Sequence, residues 1–196
     1  MSVQPRKFVL LDRDGTIIVN KHYQKDPDDT ELLPNAKEGL DLLRAHDFGL
    51  VMLTNQSGIG RGYLTRADLA AINRRLIIEL GGGDGYFSGV YYCPHLPDEG
   101  CGCRKPRPGL AELAAYDLGF SLGDCYMVGD RESDIEMGDS IGASTVLVRT
   151  GYGHEIEKAG TLAPDYVAED LLDTAEWIIR REEWVKNVTR TRRKDA

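Results

Sequence analysis

A doubly wound α/β fold with a mostly parallel sheet is predicted by three observations on the amino-acid sequence. Short apolar runs recur along it, each run is uninterrupted rather than alternating, and segments of helical period separate them. Uninterrupted runs mark strands covered on both faces. Strands alternating with helices imply right-handed crossovers between parallel neighbours. The 196 residues suit a single domain, and a chain of that length buries roughly 70% of its unfolded surface without needing disulfides.

The first strand is Phe8-Val-Leu-Leu11. A helix over residues 36–46 places Leu40, Leu43 and the aliphatic stem of Arg44 on one side, and the second strand is Gly49-Leu-Val-Met-Leu-Thr54. Thr65 is an N-cap for a helix over 66–80, where Leu69, Ile72, Leu76 and Leu80 fall at helical spacing. Gly81-Gly-Gly-Asp-Gly85 stops it; without a Gly-Lys-Ser/Thr ending it is not a P-loop. The third strand is Gly89-Val-Tyr-Tyr-Cys93, and a helix over 109–118 follows Pro108, which suits a first turn. Cys125-Tyr-Met-Val-Gly129 is the fourth strand, a helix over 132–141 brings Ile135 near Ile141, and Thr145-Val-Leu-Val-Arg149 is the fifth strand. The last helix, 169–187, carries Leu172, Ala175 and Ile179, with Trp177 and Trp184 as a packing stripe one heptad apart. One domain, 1–188, then ends in a basic tail, 189–196, expected to be frayed and solvated.

The formal charge of −8 argues against nucleic acid as a partner. No apolar stretch approaches the ~18–20 residues of a membrane span. The run beginning at Phe8 is too short for a signal-peptide core, so the expectation is a cytoplasmic protein. No extended exposed apolar face is evident, which predicts a monomer. A small anionic substrate remains compatible with acidity, because a metal or a local basic pocket overrides net charge.

In such sheets ligands gather at the carboxyl ends of the strands. There the sequence places Asp12-Arg-Asp14, then Thr54-Asn55, then Asp130 with Asp134 four residues on, and Arg104-Lys105 follows the third strand after a loop. Crowded carboxylates repel unless a cation sits among them. A hard divalent ion with oxygen ligands resolves the conflict, and Mg²⁺ suits a site with few protein carboxylates and room for phosphate. Each aspartate alone could merely start a turn; the set at three strand ends points to chemistry.

Of four cysteines, Cys93, Cys101 and Cys103 crowd into eleven positions with His95. This Cys₃His set matches a closed tetrahedral Zn²⁺ site, which is structural because no ligand position is left for water. The loop leads directly into Arg104 and Lys105, so the metal would fix where those cations point. Arg104 is a candidate for binding phosphate or sugar, or else a partner for Asp98 or Glu99. Cys125 lies in an apolar strand and is expected to be buried and inert.

Asp12-Arg-Asp-Gly-Thr16, Thr54-Asn55, Lys105 and Gly129-Asp130-x-x-x-Asp134 resemble, in order, the four motifs of the haloacid dehalogenase (HAD) superfamily of phosphohydrolases. Thr54-Asn-Gln-Ser-Gly-Ile-Gly-Arg-Gly62, Tyr92-Cys-Pro-His95, Cys101-x-Cys-Arg-Lys-Pro-x-Pro-Gly109 and Leu147-Val-Arg-Thr-Gly151 narrow the resemblance to its heptose bisphosphate phosphatase family. The related histidinol-phosphate phosphatases share the aspartate motif and zinc loop, and the short Leu96–Gly100 segment also suits them. A non-catalytic, zinc-stapled interaction protein is a reading of another class, which the complete motif set opposes.

The resemblance implies an Asp12 nucleophile forming an aspartyl phosphate, with Asp14 as general acid and then base. It implies Mg²⁺ held by Asp12, the Asp14 backbone carbonyl and Asp130, with Asp134 orienting from behind. Thr54 and Lys105 would bind phosphoryl oxygens. The substrate would be a phosphorylated sugar whose 7-phosphate is removed on the way to heptose building blocks. The segments between motifs leave no room for a separate cap domain, so specificity falls to short loops. Asn20, Lys21, His22, Asn55, Gln56, Ser57, Arg61 and Arg104 are the candidates for substrate contact.

Overall fold

The computed structural model describes residues 7–192. Six parallel strands form one sheet: β1 Phe8–Leu11, β2 Gly49–Asn55, β3 Gly89–Cys93, β4 Tyr126–Gly129, β5 Ser144–Val148 and β6 Tyr166–Ala168, in the order β3-β2-β1-β4-β5-β6. The helices are α1 Ala36–Ala45, α2 Ser57–Gly60, α3 Arg66–Glu79, α4 Gly109–Leu118, α5 Glu132–Ser140, α6 Gly153–Ala159 and α7 Leu171–Arg192.

Alternation along β1 shows why the strands read as unbroken apolar runs. Val9 and Leu11 enter a core layer shared with Leu40 and Leu43 of α1, Leu76 of α3 and Ala175 and Ile178 of α7. Phe8 and Leu10 enter the opposite layer, with Leu110, Ala111 and Ala114 of α4 and Met137 of α5. Each fully buried Leu, Ile, Val or Met contributes roughly 1.5–3 kcal/mol, so both faces of the sheet hold the domain together.

Thr65 caps α3 as expected. Its hydroxyl accepts from the Asp68 amide at 3.1 Å while the Asp68 carboxylate accepts from the Thr65 amide at 2.7 Å. α3 stops where Gly81 takes a left-handed φ of 70°. Pro108 sits just before α4 rather than inside its first turn.

Four expectations need correction. The sheet has a sixth strand, and α2 and α6 are additional helices; all three are too short to leave a periodic signature. Trp177 packs on the core and stacks on Tyr166 at 4.9 Å, whereas Trp184 is 66% exposed, so no tryptophan stripe forms. The Arg44 stem does not join the buried side of α1; its guanidinium lies over the Tyr86 ring at 4.3 Å. The last helix does not end near 187 but runs through Arg192, with no Gly or Pro to break it. Glu182 anchors that helix by accepting from Tyr126 Oη at 2.6 Å and Lys7 Nζ at 2.7 Å. The rest of the tail, 193–196, lies outside the described residues.

From β1 the chain builds outward through β2 to β3, then returns to the other side of β1 for β4, β5 and β6. The switch point therefore lies between β1 and β4, where an open α/β sheet offers its crevice. Among the described residues, no helix is long and apolar enough to cross a membrane.

Candidate active site

At that switch point the Asp12 amide donates to the Val128 carbonyl at 3.0 Å, extending β1 toward β4 by one residue. The pairing carries Asp12 and Asp130 off adjacent strands side by side. Carboxylate oxygens of Asp12, Asp130 and Asp134 all lie within 4.8 Å of one another, and all three residues are buried. Lys105, also buried, reaches them from the loop before α4, with Nζ 2.7 Å from both Asp12 Oδ1 and Asp134 Oδ1 and donating to the Leu53 carbonyl at 2.7 Å. Asp134 also caps α5, accepting from the Arg131 amide at 3.1 Å.

The electrostatics follow from this crowding. Burial pushes Asp12 up to about 6 even though Lys105 pulls the other way. Burial and then the Asp12 charge push Asp130 up to about 8. For Lys105, burial opposes the charge, but Asp12 and Asp134 outweigh it and raise its pKa. With all groups ionised, one ammonium leaves two negative charges uncompensated. Asp130 Oδ1 is buried with no hydrogen-bond partner, an orphan acceptor that normally costs about 1–3 kcal/mol. A hard divalent cation supplies both the missing charge and the missing partner, so the donor set fits Mg²⁺.

Two glycines wall this cluster. Gly15 (φ 89°) and Gly151 (φ 56°) approach so closely that a Cβ on either would fall 2.2 or 2.1 Å from Asp130 Oδ2. Thr150 Oγ1 ties the two loops by donating to the Gly15 carbonyl at 2.7 Å, and the Tyr152 amide donates to Asp130 Oδ2 at 2.9 Å.

Asp14 has different company. Its carboxylate accepts from Arg13 Nε at 3.1 Å, Arg13 Nη2 at 3.0 Å and Gln56 Nε2 at 2.8 Å. Gln56 Nε2 also lies 2.8 Å from Thr54 Oγ1, which places that buried hydroxyl beside Asp14. Asn55 spends both ends of its amide on Lys105, donating to its carbonyl at 3.2 Å and accepting from its backbone N–H at 3.1 Å.

Asp12, Asp14, Thr54 and Lys105 open onto a cleft of about 470 Å³, within the range of small-molecule sites. Its rim contains Asn20, Lys21, His22, Asn55, Gln56, Ser57, Arg61 and Arg104, so every expected contact residue lines it. They differ in availability. Lys21 Nζ already donates to the Asp29 carbonyl at 2.6 Å and lies 3.3 Å from Glu31. Arg104 forms no ion pair with Asp98 or Glu99 among the described residues, and its Nη1 is buried without a partner. Glu99 instead accepts from the Leu96 amide at 3.0 Å.

The thiols and imidazole of the zinc loop also converge. Cys93 Sγ lies 3.6 Å from Cys101 Sγ, 3.3 Å from Cys103 Sγ and 3.5 Å from His95 Nδ1, and His95 Nδ1 lies 3.2 Å from Cys103 Sγ. Sulfurs about 2.3 Å from a tetrahedral zinc sit about 3.8 Å apart, so the four atoms surround a space the size of that ion. No disulfide joins the cysteines. Cys125 is buried and donates to the Leu122 carbonyl at 2.8 Å.

Several residues here escaped sequence reading. Arg13 is the bulkiest fully buried side chain of the described residues, and nothing marks a charged residue between two acids as internal. Arg131, Ser133 and Tyr152 line the far rim, with the Arg131 guanidinium 4.1 Å from the Tyr152 ring. Their signal was position: Arg131 and Ser133 follow the fourth strand and Tyr152 the fifth, both at the ligand edge.

Comparison with known proteins agrees with this geometry. Residues 102–174 match a family described as HAD-hydrolase-like. The chain is 36% identical over 177 residues to D-glycero-beta-D-manno-heptose-1,7-bisphosphate 7-phosphatase of Pseudomonas putida, covering 88% of this chain and 99% of that protein. It is 35% identical over 182 residues to the enzyme of the same name from Escherichia coli, covering 89% and 94%. A crystal structure of D,D-heptose 1,7-bisphosphate phosphatase from Bordetella bronchiseptica, complexed with magnesium and phosphate, superposes with a TM-score of 0.83 at 34% identity over 89% of this chain and 99% of that one.

Proposed function

Because the chain belongs to the D-glycero-beta-D-manno-heptose-1,7-bisphosphate 7-phosphatase family, we propose that it removes the 7-phosphate of the β-anomeric heptose 1,7-bisphosphate by way of an aspartyl phosphate on Asp12. The observation that carries this reading is Asp12 itself: a buried carboxylate opening on the cleft, with Lys105 Nζ at 2.7 Å.

Asp12, Asp130 and the Asp14 backbone carbonyl would hold Mg²⁺, with Asp134 fixing Lys105 from behind. When bound, the ion would offset the charge that otherwise keeps an anionic phosphate away from an anionic nucleophile. Asp12 attacks phosphorus and the bond to the sugar oxygen breaks. Asp14 gives that oxygen a proton, then recovers one from the water that attacks the aspartyl phosphate. Thr54 and Lys105 stabilise the phosphoryl oxygens, where charge develops during transfer. Asn55 positions Lys105 through its backbone. Gln56 orients Asp14.

The second phosphate of the substrate needs cationic donors on the rim. Arg104, with an unpartnered buried Nη1, and Arg61 are better placed for it than Lys21, whose ammonium is committed. His22, Asn20 and Ser57 border the sugar. Zn²⁺ on Cys93, His95, Cys101 and Cys103 would hold the loop that presents Arg104 and Lys105. Thiolate ligands suit a reducing, cytoplasmic compartment, and the reading takes the protein as a monomer.

The test is inorganic phosphate release from heptose 1,7-bisphosphate and histidinol phosphate in parallel, with intact-mass detection of the phosphoenzyme. Preference for the β-anomeric bisphosphate and a phosphate adduct on Asp12 are expected. Preference for histidinol phosphate would transfer the assignment to that branch, and inactivity on every phosphomonoester would leave a zinc-stapled binding protein.

A further inference from the structure

We propose that Arg13 is a positioning residue for the reaction: a buried guanidinium fork, braced by Asn73 of α3, that sets the plane in which Asp14 presents its carboxyl to the leaving oxygen. The proposal rests on the reading of Asp14 as general acid and base.

Arg13 is only 2% exposed. Burying a guanidinium costs several kcal/mol unless its N–H groups are met by well-placed acceptors. Nε and Nη2 donate to the two different oxygens of Asp14, at 3.1 and 3.0 Å, and Nη1 donates to Asn73 Oδ1 at 2.9 Å. Two parallel bonds from a planar donor to both oxygens fix the carboxyl plane, which one point contact cannot do.

The fork is itself held at both ends. The Arg13 carbonyl accepts from the amides of Ile17 at 2.9 Å and Ile18 at 3.0 Å, so the backbone turn is closed beneath it. Asn73 stands on a helix whose first turn is locked by the Thr65–Asp68 capping pair. Asp14 is 21% exposed at its side chain, against 2% for Arg13. Its open side faces the cleft and its closed side faces the fork. Gln56, donating to Oδ2 at 2.8 Å from the β2 side, leaves Oδ1 with the fork alone among protein partners.

Stability alone does not account for this arrangement. Replacing a buried ion pair by apolar groups of similar volume is often neutral or stabilising, so a methionine at 13 could fill the space. What a methionine cannot do is orient Asp14, and orientation matters most when the leaving oxygen needs a proton.

That dependence supplies the test. The value of kcat/KM reports steps up to departure of the leaving group. A sugar oxygen needs the acid to depart, whereas p-nitrophenolate does not. With saturating Mg²⁺, Arg13→Met should lower kcat/KM on heptose bisphosphate about 10²–10³-fold and on p-nitrophenyl phosphate at most about 10-fold. Arg13→Lys should recover little, because an ammonium has no fork. Asn73→Ala, at a half-buried position, should shift the ratio between substrates in the same direction by about 10-fold. Equal losses on both substrates in Arg13→Met and Asn73→Ala would overturn the proposal and leave Arg13 a packing residue. If Arg13→Met does not fold, Asn73→Ala decides. Asp14→Asn is the reference: a loss that ignores the leaving group would instead remove the acid role of Asp14, a failure distinct from that of the fork.

Discussion

The two candidate metal clusters of this molecule are built in opposite ways. The thiol and imidazole set comes from eleven consecutive positions, from buried Cys93 at the end of β3 through the partly exposed loop that follows it. The carboxylate set joins Asp12 to Asp130 and Asp134, more than a hundred positions further on, and exists only because β1 and β4 are neighbours in the sheet. In the function proposed, the first is a fastening and the second the reactive centre, where burial and neighbouring carboxylates push Asp12 and Asp130 up. Lys105 joins them. It stands two residues beyond the last cysteine, and its ammonium lies between Asp12 and Asp134. Local order at the loop therefore becomes electrostatic order at the sheet edge.

If the division is right, damage to the reactive centre should stop turnover without loosening the fastening. The largest effect belongs to Asp12→Asn, which should reduce phosphate release to background while elemental analysis still finds about one zinc per chain. Lys105→Met comes next. Loss of an oriented donor at developing charge typically costs about 2.7–4 kcal/mol of barrier, so kcat should fall about 10²–10³-fold with zinc content again unchanged. Damage to the fastening should act in reverse. Cys103→Ser should abolish stoichiometric zinc and lower activity about 10–100-fold through a misplaced Lys105; unaltered kcat in zinc-free protein would separate the two clusters altogether.

The smallest effect concerns pH. Asp12 and Asp130 have folded pKa values near 6 and 8 against an ordinary value of 3.8, so the native state binds more protons than the unfolded chain between those limits. Stability of magnesium-free protein should then decline as pH rises from about 4 through 8. Scanning calorimetry should show a thermal midpoint several degrees lower at pH 8 than at pH 5, with Mg²⁺ restoring more at the higher pH. A midpoint that climbs over this range would contradict the crowding described for the reactive centre.

How much of this was legible depended on whether a signal was local. Strand runs such as Gly49–Thr54 were readable because burial on both faces removes polar residues altogether. Thr65 announced its helix because a capping pair is local chemistry. The strand Tyr166–Ala168 was not readable: three residues are too few for a pattern, and it is recruited only by the edge of β5. The ligand edge was readable because Asp12 and Asp130 directly follow strands, with Asp14 and Asp134 close behind them. Arg13 was not, because its burial is decided by Asn73, sixty positions away. Trp184 misled for the converse reason: its spacing from Trp177 is helical, but α7 has by then run past the core that receives Trp177.

The paired glycines behind Asp130 carry one more consequence. At Gly15 or Gly151 a single added methyl group would land on the carboxylate, turning a piece of the backbone into a built-in plug. Such an allele is expected to keep its sheet, its cysteine loop and much of its surface, pass ordinary checks of expression and folding, and still be dead. Drift in this gene is free to reshape the mouth of the cleft, but its floor tolerates no extra carbon.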